Sequence, residues 1–316
     1  MKNIIISIAA CGVLALGAAA CGDDDDSGSA DASTGGGGDL SGTIKIDGSS
    51  TVAPFAQAAQ EAFQAENPNV KITVGTSGTG GGFEKFCAGE TDISDASRPI
   101  KEDEEVPVCK KAGIDYEDIQ VATDGIAVVT NPDLKVDCLT ADQLKQLWNQ
   151  GSKVKSLSEL DPKLPDAELS VFGPGTDSGT FDFFTEQING EEGVSREDYQ
   201  PSEDDNVLVQ GVAGEAGGLG YFGHSYYEQN QDKLNLVKID GGDGCVEPTV
   251  ETIQSGEYTP LSRPLFMYPS TKALKRPEVK AFLDYIVENY EAIADASQIV
   301  AMSSEQADKA KTALGS

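Results

Sequence analysis

Apolar and polar positions alternate over residues 42–46 and again over 70–75, and each alternation predicts a strand with one buried face. Between them the period changes. Phe55, Ala58, Ala59, Ala62 and Phe63 fall on one helical face, which predicts a helix over 54–66 stopped by Asn67-Pro68. A helix over 83–88 ending at Gly89, a short strand over 91–96 and an acidic helix over 102–112 follow. Residues 125–130 are almost wholly apolar, as a strand covered on both faces requires. Downstream, the pattern predicts a helix over 140–148 with Thr140 as N-cap, a strand over 170–172, a helix over 180–188, a polar loop over 191–205 and a helix over 206–213. Strands over 217–222, 234–239 and 263–268 precede an amphipathic helix over 277–290 and a last helix over 304–314. Strands alternating with helices imply βαβ units, an α/β fold and mostly parallel sheets. No repeat of the solenoid kind is present.

Three of the predicted strand-to-helix junctions share one composition. They are Asp47-Gly48-Ser49-Ser50-Thr51, Thr76-Ser77-Gly78-Thr79-Gly80-Gly81-Gly82, and Gly173-Pro174-Gly175-Thr176-Asp177-Ser178-Gly179-Thr180. At a helix N-terminus the first backbone N–H groups lack intrahelical partners and the dipole favours an anion. Hydroxyls such as those of Ser178 and Thr180 add donors, and glycine lets an oxyanion approach the backbone. One such junction is an ordinary capped helix; three that converge would hold a desolvated oxyanion mainly with neutral donors.

Composition changes this picture little. The chain has 316 residues, 39% hydrophobic and 24% charged, enough for two modest domains with their own cores. A net charge of −30 argues against nucleic acid and against electrostatic docking on anionic lipid. A site built from backbone dipoles and hydroxyls needs no basic surface, so the acidity does not exclude an anion. Met1-Lys2-Asn3 followed by the apolar run 4–20 reads as an export signal, and Leu16-Gly17-Ala18-Ala19-Ala20-Cys21 resembles a bacterial lipoprotein signal that would place a lipid on Cys21. A plain secretory signal is the alternative. Residues 21–42, rich in Asp and Gly, read as a disordered linker. Beyond Cys11 and Cys21, four cysteines in an exported chain read as two disulfides. Three connectivities are open, and Cys87–Cys109 with Cys138–Cys245 is the pairing expected. With no CxxC pair and a single histidine, a metal site is not expected, nor is any cofactor.

The order Gly48-Ser49-Ser50-Thr51-Val52, 76–82, Asp95-Ala96-Ser97-Arg98-Pro99-Ile100, Asp124-Gly125-Ile126-Ala127-Val128, 175–180, Gly220-Tyr221 and Ser262-Arg263-Pro264-Leu265 resembles the phosphate-binding protein family of bacterial ABC-type phosphate importers. The resemblance runs from about Thr43 to Ile299. It implies a two-lobe periplasmic-binding-protein fold, type II-like, with two crossover strands and phosphate clamped between lobes. The lobes would be 43–123 with 264–316, and 124–263. By motif position, the phosphate ligands would be Ser50, Thr51, Ser77, Thr79, Ser97 and Arg98 from one lobe and Ser178, Gly179 and Thr180 from the other. Such a protein would act as a monomer outside the cytoplasmic membrane, held there by its lipid, and would pass phosphate to permease subunits.

Two departures from the family pattern stand out. Many members carry an arginine shortly before the Ser-Gly-Thr, where this chain has Pro174; Arg98 would supply that charge from the other lobe. Some members hold a carboxylate near the position of Ser97, which accepts the proton of phosphate and so excludes sulfate. Asp95 and Asp177 are the candidates for that acceptor here.

Enzymatic readings find less support. Asp177-Ser178-Gly179 matches an aspartic-protease triplet, but no second triplet exists to share a proton. The centre is not a Gly-x-Ser-x-Gly elbow, and no Gly-Lys-Ser/Thr follows the glycines to make a P-loop. The alternatives kept are a carrier of another oxyanion, such as sulfate or arsenate, and a secreted phosphoesterase.

Overall fold

The computed structural model describes residues 40–176 and 178–315. The expected signal segment, Cys21, most of the linker, and Asp177 lie outside the described residues. The strands are β1 (Gly42–Gly48), β2 (Val70–Val74), β3 (Ile93–Ala96), β4 (Ile119–Thr130), β5 (Cys138–Thr140), β6 (Ser170–Pro174), β7 (Gln200–Ser202), β8 (Gly218–Gly223), β9 (Asn235–Asp240), β10 (Cys245–Val246) and β11 (Ser262–Pro269). The α-helices are α1 (Ala53–Glu66), α2 (Gly78–Cys87), α3 (Glu105–Ala112), α4 (Ala141–Trp148), α5 (Gly179–Phe184), α6 (Asp205–Gly214), α7 (His224–Glu228), α8 (Val250–Ser255), α9 (Pro277–Glu288), α10 (Tyr290–Ala296) and α11 (Ser304–Leu314). No helix among them is long and apolar enough to cross a membrane.

The strands hydrogen-bond in the order β2-β1-β3-β11-β4-β8-β6-β7, with β9 also on β4 and carrying β5 and β10. Pairing is mixed. The βαβ units are parallel (β1 with β2 and β3; β6 with β8 and β7), whereas β11 and β4 run antiparallel to their neighbours. β4 explains the two-lobe shape. Its first half, through Gly125, pairs with β11, and from Ile126 onward it pairs with β8 and β9. Ser262 of β11 stands opposite Gly125, so β4 and β11 cross between lobes together. Nearly every β4 residue is buried, which is why its sequence lacks alternation.

Each lobe has its own core. Ile44, Phe55, Phe63, Ile93, Phe282 and Ile286 pack on one face of the first lobe's sheet, and Phe83, Phe86 and Tyr268 on the other. In the second lobe, Leu144, Trp148, Phe184, Tyr221 and Val237 form one face, and Phe172, Val209 and Phe222 the other. Burying one such aromatic or aliphatic side chain contributes roughly 1.5–3 kcal/mol.

Helix α2 begins at Gly78, five residues earlier than the apolar spacing predicts. Glycine disfavours helix, but packing overrides that preference here. A Cβ on Gly82 would stand 2.5 Å from the Gly48 Cα, so only glycine lets this turn lie against the end of β1. The first hydroxyl-rich junction is therefore pressed onto the second.

Cys87 pairs with Cys109, tying α2 to α3, and Cys138 with Cys245, tying β5 to β10 within the second lobe. The second bridge closes a separation of 107 residues. Replacing both of its cysteines by serine is expected to lower unfolding free energy by about 2–5 kcal/mol, read by urea denaturation.

Candidate functional site

The first two junctions are locked by Asp47 at the end of β1. Its Oδ1 accepts from the Ser77 backbone N–H at 3.0 Å and the Ser77 hydroxyl at 2.8 Å, and Lys85 Nζ lies 2.5 Å from Oδ2. Burial opposes ionisation of Asp47, but hydrogen bonds from Lys85 and Ser77 outweigh it and hold the carboxyl below its usual value. Ser77, expected as a ligand, thus spends its hydroxyl proton on Asp47. Thr79, two residues on, faces the cleft and meets Ser97, with 3.1 Å between hydroxyl oxygens. The Ser49 backbone N–H donates to the Asp95 carbonyl at 2.9 Å, fixing the turn that presents Ser50 and Thr51.

Asp95 does not border the cleft. It is fully buried on β3, neither carboxyl oxygen has a hydrogen-bond partner, and burial raises it well above the ordinary carboxylate range. Arg98 does border the cleft, but its guanidinium forks onto Glu105 at 2.7 and 2.9 Å. That bidentate pair fills much of its donor capacity.

At the third junction Ser178 is the N-cap of α5. Its hydroxyl oxygen accepts from the Thr180 N–H at 3.2 Å, which leaves the hydroxyl proton free to donate. Gly179 lies against Thr51 of the other lobe: a Cβ there would stand 3.0 Å from the Thr51 backbone N and 3.1 Å from its Cα.

Arg263 of β11 joins these pieces. Its Nη2 donates to Thr51 Oγ1 at 2.7 Å and to the Gly179 carbonyl at 3.3 Å, touching both lobes. Nε pairs with Asp124 Oδ2 of β4 at 3.3 Å, and the guanidinium lies 3.9 Å above the Phe183 ring. Burial pushes the Asp124 carboxyl up, and the Arg263 charge opposes that push. The motif reading of the sequence did not assign Arg263 to the site. The available signal was a cation at the head of the late apolar strand, 263–268.

Two cavities meet at this point. One, about 560 Å³, is bordered by Ser50, Thr51, Thr79, Ser97, Arg98 and Arg263, with Lys101 and Glu186 nearer solvent. The other, about 320 Å³, is bordered by Ser178, Gly179, Thr180, Asp124, Glu203 and Asp205. Ser50 and Thr51 border both. The second cavity is acidic, and burial pushes Asp205 up to about 6. The first cavity is bordered by Arg98, Lys101 and Arg263 and by three carboxylates, Asp182, Glu186 and Glu192, whereas no lysine or arginine borders the second, so an anion is better placed in the first, against the Thr51–Gly179 contact. No group of three or more His, Cys, Asp or Glu side chains among the described residues could hold a metal ion.

Residues 33–289 match the PBP superfamily domain. Protein SphX of Synechococcus elongatus is 44% identical over 249 residues, covering 78% of this chain and 73% of its own length. Phosphate-binding protein PstS of Staphylococcus saprophyticus is 41% identical over 276 residues, covering 85% and 84%. The crystal structure of a possible phosphate binding protein from Planctomyces limnophilus superposes with a TM-score of 0.82 at 46% identity, covering 88% of this chain and 99% of that one. Family model, sequence relatives and fold agree with the hydroxyl-lined cleft between two lobes: the chain belongs to the phosphate-binding protein family of the PBP superfamily.

Proposed function

We propose that this chain captures inorganic phosphate outside the cytoplasmic membrane and delivers it to an ABC permease without transforming it. The observation that carries this reading is Arg263, which touches the first hydroxyl-rich junction at Thr51 and the third at Gly179, one in each lobe. Phosphate would sit beside the Thr51–Gly179 contact, taking hydrogen bonds from Ser50, Thr51, Thr79, Ser97 and the Arg263 fork, with Ser178, the Gly179 N–H and the Thr180 hydroxyl closing in from the second lobe. Arg98 would contribute at the solvent side, shared with Glu105. Closure about β4 and β11 would exclude water and strengthen each bond. The change of partners between Gly125 and Ile126 supports a first lobe of 43–123 with 264–316 and a second of 124–263.

Relatives support the ligand: the sequence relatives include proteins named phosphate-binding protein PstS, and a substrate-binding protein of Clostridium perfringens, 28% identical, was crystallised with bound phosphate. The run ending at Cys21 supports lipid anchoring on the outer face of the membrane. Deleting the chain should lower uptake of labelled phosphate at limiting concentration; unchanged uptake would contradict delivery to a permease. Purified protein should not hydrolyse a phosphate monoester, and turnover would revive the phosphoesterase reading.

Asp47 gives a further prediction. Asp47→Ala releases Ser77 and Lys85 from the second junction and should weaken phosphate binding about tenfold, the size of one charge-assisted hydrogen bond, as read by calorimetry.

A further inference from the structure

The C-terminal segment makes a third link between the lobes. Between α10 and α11 the chain passes from Ser297 to Met302 outside any helix. Val300 is buried in the second lobe's core, whereas Ile299, Ala301 and Met302 pack on the first lobe's core. Val300 exchanges two backbone hydrogen bonds with Thr123 of β4, at 2.9 and 3.2 Å. Two glutamines of the second lobe reach over: Gln229 donates to Gln298 Oε1 at 2.6 Å, and Gln254 donates to the Ala301 carbonyl at 2.9 Å. Gln298 has φ +58°, and it is the one non-glycine among the described residues at positive φ. A side chain disfavours that conformation, which persists where surrounding contacts hold it. Ser297, Gln298 and Ile299 also wall the acidic cavity that Ser178 and Thr180 border.

We propose that residues 297–302 are a strap that limits how far the lobes open, with the Gln229–Gln298 bond as its outer clasp. Two crossover strands alone bend freely about Gly125 and Ser262. The strap adds a link whose two ends are held in the first lobe's core while its middle, Val300, is seated in the second's, so wide opening must break the clasp or pull Val300 from its seat. The inference rests on the hinge-closure reading, but its primary test needs no ligand.

Spin labels on Glu61→Cys in α1 and Lys163→Cys in the second lobe report the interlobe distance by electron double resonance. Gln229→Ala removes only an exposed side chain, and Gln298→Gly relieves the unfavourable φ. Together they should broaden the ligand-free distance distribution toward longer values and speed phosphate release about fivefold, most of the affinity change falling in the off-rate. A ligand-free distribution unchanged from the parent's, in either the single Gln229→Ala or the double variant, overturns the strap. Absence of phosphate binding would contradict the proposed function instead and leaves the distance test decisive.

Discussion

Arg263→Ala is expected to weaken phosphate binding by about two to four orders of magnitude while the fold persists. The residue would give the ligand two charge-assisted hydrogen bonds, each worth roughly 1.5–3 kcal/mol in a dry site. Its present bonds to Thr51 Oγ1 and the Gly179 carbonyl show the guanidinium already aimed at the contact between lobes. Removal leaves Asp124 buried without its cation, and burial already pushes that carboxyl up, so it takes a proton and the strand pair survives. Arg263→Lys keeps charge but loses the fork and the stack over Phe183, so its loss should be intermediate. Arg98→Ala should cost about tenfold or less, because Glu105 already engages that fork. Calorimetric titration of the three variants, with circular dichroism for the fold, checks this order. Equal losses for Arg98→Ala and Arg263→Ala would show that the two share the role.

Gly179→Ala should abolish tight binding and leave thermal stability unchanged or slightly raised. The added methyl would meet the Thr51 backbone at 3.0 and 3.1 Å and crowd its hydroxyl still more closely, and backbone on the facing lobe does not yield as a flexible side chain would. Overpacking of this kind costs roughly 1–3 kcal/mol even in a core that adjusts. Here the lobes relieve it by staying apart, which withdraws the donors of one lobe from the ligand. Alanine also favours helix over glycine at the start of α5, so the second lobe itself does not suffer. A lowered melting temperature with unchanged affinity would place Gly179 in a purely structural role.

The sequence made the elements of each lobe legible because their periodicity comes from one buried face. Helix 54–66 and strand 42–46 fall within a residue or two of α1 and β1. Legibility failed where tertiary contact sets the conformation. The glycines at 78 and 80–82 read as a loop, yet they form the first turns of α2 because Gly82 must lie on Gly48. The front half of β4 lacks alternation because both its faces are covered, and β5 and β10 are too short to carry a pattern. At the site, hydroxyls beside glycines marked the three strand-to-helix junctions, which lie between β1 and α1, β2 and α2, and β6 and α5. Their division of labour depends on partners distant in sequence. Asp47 claims Ser77 from 30 residues away, and Arg263 reaches Thr51 across 212 residues. The two-residue spacing puts Asp95 on the strand face of Ser97, but Asp95 is fully buried on β3, where its backbone pairs with Gly48 of β1, a fact of packing that alternation alone does not reveal.

The central claim is tested most directly by calorimetric titration of the phosphate-stripped mature chain, first with phosphate and then with sulfate. Tight, stoichiometric phosphate binding is expected, weakened at least about a hundredfold in Arg263→Ala. Absence of heat with phosphate, or binding that Arg263→Ala leaves intact, would contradict it.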